Sequence, residues 1–539
     1  MTVADLVVGQ LLAAGVKALF GVPGGGGNLD LIAAAGRAGL PFVLTSTETA
    51  GAIAALAQAE VTGGTGACLT TLGPGAASVI NGVACAFLER APVVVFTDCH
   101  PLPADSAYSA AEHQRLDHAA LAAPITKWSG RLKPDGVLQV LVRALHEARH
   151  GRPGPVHVDC PGDVTASSPP MGFDDAYFEF EELMPSADDR SRLETFLATA
   201  RKPLLLVGLG ARGSADAAAI RALCAGRHIP AMVTYKAKGV VADGPDGNEW
   251  FAGVFTNAAI EQPVIDESDL LIGIGLDPVE LIPRAWNRQQ PIVSCNPWRV
   301  EDAHVPFAVQ LVAPVTECIG LIENALSPSD WTSHRVRELV DDQRRGLSVP
   351  GPGFTAQRVV EIAASRLAPL AGRVTVDAGA HMFPATMLWP VGEPNGMLIS
   401  NGLSTMGFAL PAAIGAALVD REQPVVALTG DGGLLMCAGE LLTAVREGLR
   451  IITIVFSDAS LSLIEIKQQA RRLPAAGVAL GAIDWPALAG SVGVPAWAAS
   501  TDVELERAIE RALAASGPSL IEAKIDRSNY GATLRAVRG

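Results

Sequence analysis

The sequence predicts an α/β protein built from three doubly wound parallel-sheet domains. Its 539 residues suffice for about three or four domains at roughly 150 residues each. Hydrophobic residues make up 49% of the chain and charged residues 18%, with 55 Gly and 37 Pro, a balance that excludes disordered and fibrous classes. Within that length one pattern recurs three times: a short apolar strand, a Gly-rich turn and an Ala-rich helical stretch, as in parallel sheets covered by helices.

The first segment, residues 1–165, starts with a helix over Val3–Ala14. It continues through strands such as Ala67–Thr71 and Val93–Thr97 and closes at "GRPGPVHVDCPGDV" (151–164). Ser167–Pro170 and Glu179–Asp189, rich in proline and acid, read as solvated linker. The second segment, residues 190–328, contains "RKPLLLVGLGARG" (201–213) and "DLLIGIGLD" (269–277), and "SVPGPGF" (348–354) marks the next break. The third, residues 354–539, holds "GRVTVDAGAH" (372–381), "PVVALTGDGG" (424–433), "RIITIVFSDAS" (450–460) and a strand over Ser519–Ile525. The tail after Asp526 reads as a mobile lid or a frayed end, with the frayed end favoured.

Charge and hydropathy narrow the partners. The net charge is -15 and no basic stripe could follow a phosphate backbone, so nucleic acid is not expected. The apolar run Gly407–Val419 is too short to span a bilayer, and Met1–Phe20 lacks the basic start and unbroken apolar block of a signal peptide. A cytoplasmic protein with no membrane partner is the expectation. The 8 Cys are scattered without a C-x-x-C pair and read as small buried apolar residues.

The chemistry concentrates in the third segment. Apolar Val425–Leu428 runs into "TGDGG" (429–433), placing Asp431 at the carboxyl end of a buried strand, where α/β sheets bind ligands. A second strand, Ile451–Phe456, ends in "SDAS", and Asp458 follows Asp431 by 27 residues (458 - 431), the length of one strand-helix-strand unit. Two carboxylates at one sheet edge repel unless a hard cation such as Mg²⁺ sits between them, which points to a metal bridged to a phosphorylated ligand; taken alone, "TGDGG" also reads as a plain Gly-Asp-Gly turn.

These residues carry a resemblance. "GDGGLLMCAGELLTAV" followed by "SDASLSLIEIKQ" resembles the thiamine diphosphate motif, a Gly-Asp-Gly with a later Asn-Asn. "FGVPGGG" (20–26), "TETAGA" (47–52), "TLGPGAAS" (71–78), "HQRLDHAALAAPITKW" (113–128), "TYKAKG" (234–239) and "GLSTMGFALPAAIGA" (402–416) stand in the order and spacing of the acetolactate synthase group. The resemblance implies pyrimidine-binding, central and diphosphate-binding domains. It also implies decarboxylation of a 2-keto acid with transfer of the fragment to a second carbonyl, supported by thiamine diphosphate and Mg²⁺.

It implies site residues too. Glu48 would hydrogen-bond the pyrimidine ring and favour its imino form; from local sequence alone, Thr45 and Glu48 also fit a capping box. Asp431, Asp458 and the Ser460 carbonyl would ligate Mg²⁺. Gly379, His381, Ser404, Met406, Gly430, Gly432, Gly433, Leu461, Ser462 and Leu463 would hold the cofactor, with Met406 as the wedge that bends it. Gly25, Gly26, His113, Gln114 and Lys467 would face substrate. Glu48 and the metal site lie on different domains that in this family meet across a two-fold interface, so a homodimer or homotetramer with its active site between chains is implied.

The chain departs from the group at several positions. Asp458 replaces a neutral Asn, Ser457 replaces the other Asn, His113 replaces a Phe, and Lys467 replaces a Trp that helps choose the acceptor. An inward Lys467 would favour an anionic acceptor or substrate, whereas beside Glu465 and Gln468 it also reads as a solvated helix face. Asp277 stands where flavin-binding members carry an Arg, so FAD is not expected. The alternatives are a simple 2-keto acid decarboxylase or 2-hydroxyacyl lyase, a flavin-dependent oxidase, and a homologue without catalysis.

Overall fold

Each of the three repeated segments forms one six-stranded sheet, and every pairing between its strands is parallel. The computed structural model describes residues 1–101, 113–169, 185–244, 247–301, 304–349, 351 and 353–539. The first sheet comprises β1 (Leu19–Gly21), β2 (Phe42–Leu44), β3 (Gly66–Thr70), β4 (Val93–Cys99), β5 (Ser129–Arg131) and β6 (Val156–Pro161), ordered β2-β1-β3-β4-β6-β5. The second comprises β7 (Pro203–Val207), β8 (Ala231–Val233), β9 (Phe251–Val254), β10 (Leu270–Ile274), β11 (Ile292–Asn296) and β12 (Phe307–Val312), ordered β12-β11-β10-β7-β8-β9.

The third sheet comprises β13 (Arg373–Val376), β14 (Met397–Ile399), β15 (Val425–Gly430), β16 (Ile451–Ser457), β17 (Ala496–Ala499) and β18 (Ser519–Lys524). Its order, β14-β13-β15-β16-β18-β17, repeats that of the first sheet. The direction of winding reverses between β13 and β15, so a crevice opens there beyond the carboxyl ends of the strands. Central strands are apolar on both faces because helices cover both: β15 is buried from Val425 through Thr429.

The first and third domains pack through two helices of small residues, Glu48–Thr62 and Ala409–Ala417. Every residue from Ala50 to Glu60 is buried, so that helix has no wet face over its middle, as its Ala-rich sequence requires. A Cβ on Gly415 would stand 2.1 Å from the carbonyl oxygen of Ala54, so glycine alone permits this approach.

Two expectations are corrected. The tail is not frayed: Tyr530–Arg538 forms a helix that buries Tyr530, Thr533 and Val537, and Arg527 in front of it pairs with Glu465 at 2.6 Å. The stretch read as linker ends early, because Ser186 caps a helix over Ala187–Thr199; residues 179–184 lie outside the described part. All 8 Cys are free, and Cys99 is half-buried where the other seven are buried. Among the described residues no helix is long and apolar enough to cross a membrane.

Candidate functional site

β15 and β16 are neighbours in register, with Gly430 opposite Phe456, so the turns after them place Asp431 and Asp458 together. Asp431 opens a short helix, and its Oδ2 accepts hydrogen bonds from the backbone N–H of Asp458 (3.1 Å) and Ala459 (2.7 Å). Ala459 adopts φ +57, which turns the chain so that both amides point at that oxygen. Asp458 Oδ1 accepts from the Ser460 N–H at 3.0 Å and its Oδ2 from the Ser462 hydroxyl at 2.6 Å. Burial pushes the Asp458 carboxyl up to about 6, with the charge of Asp431 adding to it, and burial also raises Asp431. Two carboxylates brought together out of water favour a bound cation.

Next to them lies a cleft of about 250 Å³. Its lining includes Gly379, His381, Ser404, Met406, Gly430, Asp431, Gly432, Gly433, Asp458, Ser460, Leu461, Ser462, Leu463 and Lys467. His381 is buried and stacked on Phe456 with ring centroids 5.0 Å apart, and its Nε2 has no hydrogen-bond partner. Burial lowers the His381 ring to about 4, so it is neutral at pH 7. A Cβ on Gly432 would stand 2.6 Å from Leu461 Cδ2 and 3.3 Å from Met406 Cε, so glycine keeps the space between those side chains open.

The same chain matches three family descriptions in order. Residues 1–121 match the thiamine pyrophosphate enzyme N-terminal TPP binding domain, 191–321 the central domain and 377–523 the C-terminal TPP binding domain. A catabolic acetolactate synthase of Raoultella terrigena is 30% identical over 97% of this chain and 95% of its own length. The chain belongs to the thiamine pyrophosphate enzyme family. Other similar members are the acetolactate synthase of Bacillus subtilis (29%; 98% of this chain, 93% of the relative) and the isozyme 2 large subunit of Escherichia coli (29%; 98% and 96%).

The cleft suits thiamine diphosphate, which the family name calls the pyrophosphate: an orphaned buried imidazole nitrogen, a glycine-lined wall and a pair of carboxylates for a metal stand together. Four lining residues went unnoticed in the sequence, Ala378, Ala380, Phe456 and above all Tyr530, whose buried side chain comes from the tail helix. The spacing of Tyr530, Thr533 and Val537 is the one signal that points to it.

The remaining candidates lie elsewhere. Glu48 stands at the first position of its helix, capped by Thr47, whose Oγ1 accepts from the Ala50 N–H at 3.2 Å; the capping box from Thr45 does not form. A Cβ on Gly75 would lie 3.3 Å from Glu48 Oε1, and one on Gly73 would lie 2.9 Å from Gln114 Cβ, so Glu48 and Gln114 flank the Gly73–Gly75 turn. Gly26 is held by Asp98, whose Oδ2 accepts its N–H at 3.2 Å, beside Gly25. His113 and Gln114 are exposed. None of Glu48, Gly25, Gly26, His113 or Gln114 lines the cleft at Asp431; they lie at the carboxyl edge of the first sheet, and the cleft at that of the third.

Proposed function

We propose that this thiamine diphosphate enzyme uses Mg²⁺ to decarboxylate a 2-keto acid and join the fragment to a second carbonyl, in a homo-oligomer whose sites lie between chains. The cleft at Asp431, with both carboxylates and His381 Nε2, is the observation that carries this reading. Similarity to acetolactate synthases over nearly the whole chain supports the ligation step. Bound there, the cofactor would supply the electron sink for loss of CO₂.

The chain's own residues supply the geometry. Asp431, Asp458 and the Ser460 carbonyl would hold the metal, and the N–H groups of Gly432 and Gly433 with His381 would bind the diphosphate. Met406, Leu461 and Leu463 would shape the apolar middle of the cleft. Glu48, from the partner half-site, would hold a proton at the pyrimidine ring.

Flavin is not part of this proposal. Asp277 is fully buried and takes Arg90 Nε at 2.9 Å and Arg152 Nη2 at 2.7 Å, so the turn after β10 is tied to the first domain. Flavin absorbance in the purified protein would contradict this.

The test is calorimetric titration of the apo protein with thiamine diphosphate, with and without Mg²⁺, then of Asp431→Ala. Metal-dependent binding lost in the variant is expected. Absence of binding to the wild type would overturn the proposal, and aldehyde as sole product from 2-keto acids would remove the ligation step.

A further inference from the structure

Residues of all three domains hold the loop Asn401–Gly407 that carries Ser404 and Met406 into the cleft. The loop is conformationally demanding, with Ser404 at φ +56 and Gly407 at φ +76. At its exit Asp377 accepts the N–H groups of Gly407 (3.1 Å) and Phe408 (3.3 Å). Along it, Asn81 Nδ2 donates to Thr405 Oγ1 at 2.9 Å, and Asn401 Nδ2 donates to the Glu280 carbonyl at 2.8 Å.

At its entrance the acceptor is Glu89, from the first domain. Its Oε1 takes the N–H of Gly402 at 2.8 Å, the N–H of Leu403 at 3.3 Å and the Ser400 hydroxyl at 3.2 Å. A Cβ on Gly402 would stand 2.7 Å from the Leu88 carbonyl oxygen, so the loop passes directly over the end of the helix before Glu89.

Glu89 is fully buried, and a buried charge persists only where it is paired. Its other oxygen lies 3.0 Å from Lys236 Nζ, which also lies 2.6 Å from Glu60 Oε1. Glu60 meets Arg212 at 3.0 Å, so two acids face two bases and the quartet is neutral. Lys236 is 1% exposed, and its Nζ also donates to the Ile399 carbonyl at 3.3 Å, just before the loop.

We propose that Glu89 is a positioning residue for the reaction: its carboxylate, paired with Lys236, fixes the loop that sets Met406 in the cleft. Hydrogen bonds to a charged acceptor are about twice as strong as neutral ones, and without that acceptor two N–H groups at the loop entrance lose their partner. The inference rests on the proposed cofactor site, because the place of Met406 matters to catalysis only if the cleft holds the cofactor.

The test compares wild type with E89M/K236M and E89Q/K236M. Both pairs remain neutral, because Glu60 keeps Arg212. Hydrogen exchange in the apo protein should be tenfold or more faster at Gly402 and Leu403 in E89M/K236M, fall back toward wild type in E89Q/K236M, and stay unchanged in Val425–Gly430. In the loaded enzyme kcat should fall about tenfold at unchanged KM. Unchanged exchange at Gly402 and Leu403, or an equal rise in Val425–Gly430, would overturn the proposal. Should the methionine pair not fold, E89Q/K236M against wild type makes the same comparison with a smaller rise expected. The exchange readout needs no cofactor, so failure of the cofactor site would show separately, as absence of thiamine diphosphate binding to the wild type.

Discussion

Lys467 stands out among the charged residues of its helix, Ser462–Ala470, because Glu465 is engaged by Arg527 and by the Ser460 hydroxyl while the Lys467 ammonium makes no ion pair with any described residue. It lines a cleft whose middle is made by Leu461, Leu463 and Met406. An unpaired cation at the edge of an apolar wall favours a substrate with a second anionic group beyond its reacting carbonyl. A charge-assisted hydrogen bond contributes about 1.5 to 3 kcal/mol. Lys467→Met should therefore raise KM about tenfold or more for dicarboxylic 2-keto acids while leaving monocarboxylic ones within about twofold. Steady-state kinetics on a matched series checks this, and an equal change for both classes would remove Lys467 from the substrate site.

At the scale of elements, the helices Glu48–Thr62 and Ala409–Ala417 meet so closely that their backbones are in contact. Gly415→Ala would drive a methyl into the Ala54 carbonyl, which cannot retreat because its helix is buried on all sides. Overpacking of this kind costs about 1 to 3 kcal/mol or more, so the melting temperature should fall by several degrees, measured by circular dichroism. A variant as stable as wild type would show that the two helices can separate.

Elements of this kind were legible to different degrees. β15 and β16 could be read because apolar runs ending in Gly-Asp and Ser-Asp state both strand and turn, and the 27-residue interval states that they are adjacent. The start of the helix at Glu48 is ambiguous in the sequence because Thr45, Ser46 and Thr47 can all cap. A contact far along the chain decides among them, the Glu440 carboxylate taking the N–H groups of Ser46 (2.9 Å) and Thr47 (3.3 Å). The tail helix was hidden by Arg527, Arg535 and Arg538, which suggest a solvated end although Arg538 lies over the Phe383 ring. The quartet of Glu60, Glu89, Lys236 and Arg212 leaves no local signal, since its members meet only when two domains dock.

For the whole molecule the decisive observation is that Glu48 lies by the Gly73–Gly75 turn and does not line the cleft at Asp431. If two chains complete each site, Glu48 of one copy would serve the Asp431 cleft of the other. Glu48→Gln and Asp431→Ala should each lose activity by orders of magnitude while remaining folded. Mixed as unfolded chains and reassembled, the two variants form heterodimers with one site carrying both substitutions and one carrying neither. Random pairing then restores about a quarter of wild-type activity, since about half the dimers are mixed and each has one intact site of two. If instead each chain supplied both halves of its own site, every site in the mixture would keep one defect and no activity would return. Recovery near half the measured fraction of mixed dimers supports sites shared between chains, and none would refute it.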